Sequence, residues 1–228
     1  MNAGATKVDS VDVSEKVVTL TEKNMILNNA EFCLADLSKS WSSVEIAMQC
    51  ENRNITHVFW VAGYRSKKRL VDYQADDLKH MIDTHLTGPI DTLRMLLRAA
   101  LSDPAKATTP IHLVVISSLS AVRLNPGSTL YSVVKAAQSA FAVNYAAELA
   151  EMLPGSKTTL VEPGRIASGF FRGSDRDTSN YMSAAAVAEM IWREMDGQTK
   201  LFDELLILKN KDGTPRLERG PVLPERPA

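Results

Sequence analysis

Short runs of apolar, often β-branched residues alternate along the chain with longer segments of helical periodicity. The runs are VVTL (17–20), EFCL (31–34), THVFWVA (56–62), IHLVVIS (111–117), TTLV (158–161) and ELLIL (204–208). Runs with few polar interruptions suit strands buried on both faces, as in a parallel sheet covered by helices on each side. Helical patterns lie between them at 40–52, 74–101, 129–152 and 183–195. This alternation predicts an α/β fold, a Rossmann-like doubly wound parallel sheet. Right-handed crossovers then place helices on both faces. The Gly88-Pro89 pair should bend or split the helix over 74–101, because proline removes a backbone donor and crowds the preceding turn. Residues 163–181 are rich in Gly, Ser, Arg and Asp and predict a long loop with one short helix, of the kind that covers ligands at strand ends. The tail 209–228 is polar, carries four prolines, and reads as an irregular surface arm or an oligomer contact.

Composition narrows the class without naming a chemistry. With 228 residues and 45% hydrophobic content, the chain can bury one sizeable core, and a single domain over 1–228 is expected. The formal net charge is −1 and no basic stripe stands out, which argues against nucleic acid as a partner. Cys33 and Cys50 are too few for a disulfide framework and fit a reducing compartment. No apolar run reaches the ~18 residues of a membrane span. The amino terminus lacks the basic start and apolar stretch of a secretory signal. A soluble cytoplasmic protein without a metal centre is the expectation.

The sharpest local feature is YSVVK, Tyr131 to Lys135, at the opening of the helix over 129–152. Residues four apart share a helix face, so the phenol and the amine point the same way. A nearby cation stabilises phenolate and lowers a tyrosine pKa from its reference of about 10, which suits acid/base chemistry near neutral pH. Ser118 follows the strand IHLVVIS, 131 − 118 = 13 residues before Tyr131. The carboxyl end of a buried parallel strand is where such folds bind ligands. Read alone, Ser118 and the adjacent Ser117 are equally well strand-end turn or helix-cap residues.

Taken in order, these elements resemble the short-chain dehydrogenase/reductase family. ISSLSA followed by YSVVK is similar to its Ser…Tyr-x-x-x-Lys element. VAG (61–63) resembles the end of its Asn-Asn-Ala-Gly element, with Trp60 and Val61 in place of the asparagines. THLTG (84–88) resembles its Val-Asn-x-x-Gly element, with His85 where the family has a catalytic asparagine. PGRIAS (163–168) resembles its Pro-Gly loop, and ADLS (35–38) its Asp-Val/Leu element near adenine. The resemblance implies an NAD(P)-dependent oxidoreductase that interconverts a carbonyl and a secondary alcohol, with a small-molecule substrate. By the same resemblance, Tyr131 exchanges the proton, Lys135 binds the nicotinamide ribose and lowers the Tyr131 pKa, and Ser118 orients substrate. His85, able to donate and accept, would take the asparagine's part in a proton relay. Asp36, Leu37, Ala62, Gly63, Pro163, Gly164, Ile166 and Ser168 would line the cofactor together with Tyr131 and Lys135. A homodimer or homotetramer is implied, packed through the helices carrying Leu93, Leu96, Leu97, Phe141, Tyr145 and Leu149, with burial against the sheet as the alternative for some of these residues.

The chain departs from that pattern at its amino end. The family opens with a strand, a glycine-rich turn and a helix whose amino terminus binds pyrophosphate. Here only 16 residues precede Val17, with the single glycine Gly4, so the first strand and glycine-rich turn are expected to be missing or shortened. A central strand would then be lost between VVTL and THVFWVA, with Val8, Val11 and Val13 as a substitute. Lys23 and the lack of an aspartate after VVTL lean toward NADP, with NAD possible. Two alternatives stay open: a non-catalytic scaffold keeping the fold, and a truncated, inactive homologue that binds cofactor poorly.

Overall fold

Four parallel strands carry the core of the computed structural model, which describes residues 8–12, 30–50, 53–171 and 177–220. In chain order, β1 is Val8–Asp12, β2 Ala30–Leu34, β3 His57–Trp60, β4 His112–Ile116 and β5 Lys157–Pro163. Two short strands, β6 (Ile166–Ala167) and β7 (Met182–Ser183), precede β8 (Phe202–Lys209) and β9 (Pro215–Arg219). The main sheet runs β3-β4-β5-β8-β9, parallel except for the last pair. The helices are α1 (Ser42–Cys50), α2 (Ala75–Ile82), α3 (Gly88–Ser102), α4 (Thr129–Met152) and α5 (Ala184–Asp196).

Successive residues of β4 show why the run is continuously apolar. Leu113 and Val115 pack on one face with Leu93 and Leu97 of α3 and Ala142 and Leu149 of α4. Val114 packs on the other face with Val187, Ile191 and Met195 of α5. All three β4 residues are fully buried, as a strand sandwiched between helix layers requires. The sheet is thus doubly wound, as the alternation of runs predicts. Helix α4 keeps its expected bounds because its 24 residues contain neither glycine nor proline. Among the described residues, no helix is long and apolar enough to cross a membrane.

At four points the structure corrects an expectation or decides between two. First, Gly88-Pro89 does not end the helix but follows an irregular turn in it. Helix α2 continues through a π-helical segment, Asp83–Thr87, into α3, with Pro89 in the first turn of α3. The wider π turn lies where the proline interrupts the regular hydrogen-bond ladder. Second, the polar tail is not wholly irregular: Pro215–Arg219 forms β9, antiparallel to β8. Arg219 of β9 pairs with Asp203 and Glu194, which ties the strand down through its charges. Third, Val8–Asp12 does form a strand, but it pairs in parallel with β2, from Val8↔Ala30 to Asp12↔Leu34, and not with β3. Among the described residues no strand borders β3 opposite β4, and Phe59 and Val61 are 43% and 61% exposed. VVTL and Lys23 lie outside the described residues. Fourth, Leu93, Leu97 and Leu149 take the alternative of burial against the sheet. They are 4%, 3% and 0% exposed and pack against the sheet.

Gly88 explains how α3 meets the loop after β2. A Cβ added there would fall 2.0 Å from the Leu37 carbonyl oxygen, a backbone atom with no room to yield. The loop is held in turn by Ser42, whose hydroxyl donates to the Asp36 carbonyl at 2.6 Å, and by Ser43, which donates to Asp91 of α3. Replacing a helical glycine by alanine ordinarily stabilises by roughly 0.5–1 kcal/mol. Here Gly88→Ala is expected to destabilise by about 1–3 kcal/mol, the usual range for overpacking. Urea unfolding reads the sign directly, and a midpoint equal to or above the parent's would contradict the close approach.

Candidate functional site

The carboxyl ends of β3, β4 and β5 bring most of the expected residues to one edge of the sheet. Ala62 and Gly63 follow β3, Ser117 and Ser118 follow β4, and Pro163 and Gly164 close β5. Tyr131 and Lys135 reach the same edge from the first turns of α4 and are 7% and 4% exposed. Ser118 caps the short 3-10 turn Leu119–Ala121 by accepting from the Ser120 N–H at 3.1 Å. Its hydroxyl also hydrogen-bonds the Tyr131 phenol. The Phe170 ring stands 6.0 Å from that of Tyr131, which brings the loop after β6 to the site.

Lys135 is held by two neutral acceptors. Its Nζ donates to the Ile116 carbonyl at the end of β4 and to Gln138 Oε1, each at 2.8 Å. The Nζ lies 5.9 Å from the centre of the Tyr131 ring. Burial lowers the Lys135 pKa to about 7. Tyr131 moves opposite to the expectation drawn from its lysine neighbour. Burial pushes the phenol up, while the Ser118 hydrogen bond and the Arg65 guanidinium pull it partly back. Desolvation outweighs both of these contributions.

His85 belongs to the π segment and is fully buried. Its Nε2 faces the Tyr64 backbone, with the N–H at 3.0 Å and the carbonyl at 2.8 Å. Nδ1 is buried with no hydrogen-bond partner among the described residues. The ring stands edge-on to Tyr131 with centroids 5.9 Å apart. Burial, then the Lys135 charge, lower its pKa to about 4. Gly63 permits this arrangement twice over. Its φ of 152° disfavours a side chain, and a Cβ there would sit 2.5 Å from the His85 ring.

Other expected residues are positioned differently. Asp36 spends its carboxylate on its own turn, accepting from the Ser38 N–H at 2.9 Å and the Ser38 hydroxyl at 2.7 Å. Leu37 lends its backbone to Gly88. Ile166 packs with the apolar cluster beneath α5, and Ser168 is exposed. Two clefts, one between α1 and α3 and one beside Gln198 and Lys200, lie away from Tyr131.

Several polar residues of this region were not singled out in the sequence. Gln138 is fully buried, joins Lys135 to the π segment, and donates from Nε2 to the His85 carbonyl at 2.8 Å. Ser139 donates to Glu162 Oε1 at 2.7 Å and lies 2.8 Å from the Ser117 hydroxyl, which donates to the Lys135 carbonyl. Burial raises the Glu162 pKa despite the Ser139 hydrogen bond. The available signal was polar letters at positions 138 and 139 on the inward face of an otherwise apolar helix.

Comparisons with known proteins agree on the type of molecule. The family profile described as enoyl-(acyl carrier protein) reductase matches residues 5–199. An uncharacterized oxidoreductase of Staphylococcus aureus strain MW2 is 30% identical over 118 residues, covering 50% of this chain and 48% of that protein. The matched region thus spans about half the length of such curated relatives. An alcohol dehydrogenase from the archaeon Thermococcus sibiricus, complexed with 5-hydroxy-NADP, superposes with a TM-score of 0.73 at 20% identity. That match covers 88% of this chain and 84% of the other. A serine dehydrogenase complexed with NADP+ gives 0.70 at 19% identity, covering 87% and 84%. A short-chain dehydrogenase/reductase from Vibrio parahaemolyticus gives 0.62 at 25% identity, covering 81% and 78%. The first two of these likenesses speak for the fold alone.

Acid should find the buried imidazoles first. His85 and His112 are neutral in the fold, each with a pKa lowered to about 4, chiefly by burial. In the unfolded chain they protonate near 6.5. Their contribution to stability is therefore complete above about 6.5 and is lost as pH falls from 6.5 through 4. NMR titration of the imidazole C–H signals should show both rings turning over near 4. Midpoints near 6.5 would refute the burial argument.

Proposed function

The chain belongs to the short-chain dehydrogenase/reductase family, and on that premise we propose that it is an NAD(P)-dependent oxidoreductase interconverting a carbonyl and a secondary alcohol. The observation that carries this reading is the meeting of Ser118, Tyr131 and Lys135 at the carboxyl edge of β4.

The nicotinamide end of such a cofactor fits the residues present. The space a Gly63 side chain would take is filled by the His85 ring, so Gly63 would offer the cofactor only its backbone. A protonated Lys135 has three N–H donors and spends two, on Ile116 and Gln138, which leaves one for a ribose hydroxyl. Pro163, Gly164, Ile166 and Ser168 would line the other side. Asp36 would serve the adenine end only after release from Ser38. NADP is favoured over NAD by Lys23 and by the NADP ligands of two structural neighbours.

When bound, the nicotinamide supplies or accepts the hydride. Tyr131 holds the proton on its phenol oxygen and passes it to the carbonyl oxygen of a substrate under reduction. The raised Tyr131 pKa keeps that proton on the phenol at neutral pH, the starting form that reduction needs. Ser118 orients the same oxygen by hydrogen bonding as negative charge grows on it. Phe170, beside the Tyr131 ring, gives the substrate side an apolar wall.

The test is NADPH oxidation by the full chain with a panel of ketones and aldehydes. Tyr131→Phe should lower kcat by about 10²- to 10⁴-fold, the range for loss of a positioned acid. Turnover equal to the parent's would remove Tyr131 from the role. An NADPH titration by calorimetry separates this from failure to bind cofactor, the mark of a non-catalytic scaffold.

A further inference from the structure

Gln138 sits where helix α4 is otherwise lined by Leu130, Val134, Ala142, Ala146 and Leu149. A buried primary amide is costly unless both of its ends are satisfied. Here both are, by groups that belong to the site. Oε1 accepts from Lys135 Nζ, and Nε2 donates to the His85 carbonyl. That carbonyl has a specific need. In a regular α-helix its donor would be the N–H of residue 89, which is a proline and has none. Pro89 thus removes the α-helical donor to this carbonyl, and Gln138 supplies one from the neighbouring helix.

We propose that Gln138 is a positioning residue of the site, fastening the Lys135 amine to the His85 carbonyl and closing Lys135 to water from the π-helical side. The inference deepens the oxidoreductase reading and rests on it for its catalytic meaning. A water molecule or hydroxyl accepts and donates through one oxygen, and so can hand a proton along. The amide accepts on Oε1 and donates from Nε2, so it joins the two groups without relaying a proton between them. Gln138 and His85 are both fully buried, and Lys135 is 4% exposed.

The titratable and charged groups around this link come from several elements. His85 faces it from the π segment, and Tyr131 from the same helix. Arg65, after β3, acts on Tyr131. Glu162 of β5 reaches only as far as Ser139 and, through it, Ser117. The hydrogen-bond partners of Lys135 Nζ are therefore neutral oxygens, and Gln138 supplies one of the two.

The experiment is NMR titration of the full chain labelled with 13Cε-lysine, with Lys135 assigned by its loss in Lys135→Arg. In Gln138→Glu a carboxylate replaces the neutral acceptor, and the Lys135 midpoint should rise by at least about one pH unit. In Gln138→Met both hydrogen bonds vanish, and the midpoint should fall. Midpoints unchanged in either folded variant would overturn the proposal. A measurement on the parent guards against variants that do not fold. The Gln138 side-chain amide protons should exchange with solvent much more slowly than those of exposed glutamines, and equal exchange would overturn it too. Neither readout uses turnover. A parent that binds no NADPH but shows these shifts would sink the oxidoreductase reading and leave the Gln138 link standing.

Discussion

A buried amine held by neutral oxygens is the constraint around which the candidate site is arranged. Lys135 gives up bulk water for the Ile116 carbonyl and the Gln138 amide, and among the described residues no carboxylate pairs with it. The cost of that desolvation appears as the lowered Lys135 pKa. It extends to neighbours, because the same dry surroundings raise the Tyr131 phenol and keep His85 neutral. Burial sets the direction of all three shifts, and the local charges only trim them.

Much of the fold could be read from the order of apolar runs. Helix α4 keeps its expected bounds, and β2, β3, β4, β5 and β8 fall on five of the six runs. For β4 and β5 the reason is burial on both faces, which leaves a local signature in the chain. Departures occur where structure depends on partners distant in sequence. Strand β9 exists because β8 offers it an edge and Arg219 finds Asp203 and Glu194, which a proline-rich tail does not announce. Strand β1 pairs with β2 rather than β3, a choice of neighbour that the valines do not encode.

For the site, the residue types and the shared edge were legible, and the electrostatics was not. Spacing placed Tyr131 and Lys135 on one helix face, and the structure keeps them there. The direction of the Tyr131 shift could not be drawn from spacing, because it depends on how thoroughly both groups are buried. Gln138 was missed because its importance comes from Pro89, an absent donor on another helix. For Leu93, Leu97 and Leu149 the sequence left a contact between copies and burial on the sheet both open, since periodicity alone does not say which surface a helix meets; the sheet claims them. Family membership, resting on the match across residues 5–199, agrees with the parts that were legible and is silent on these details.

The contact between Gly88 and the Leu37 carbonyl bears on how this protein can vary. The nearest atom is a backbone oxygen, so the contact constrains the path of the chain at position 37. Exchanging the loop after β2 for one from a relative would succeed only when the donor loop traces the same route past α3, however similar its letters. Compatibility at that junction is inherited as shape rather than as composition.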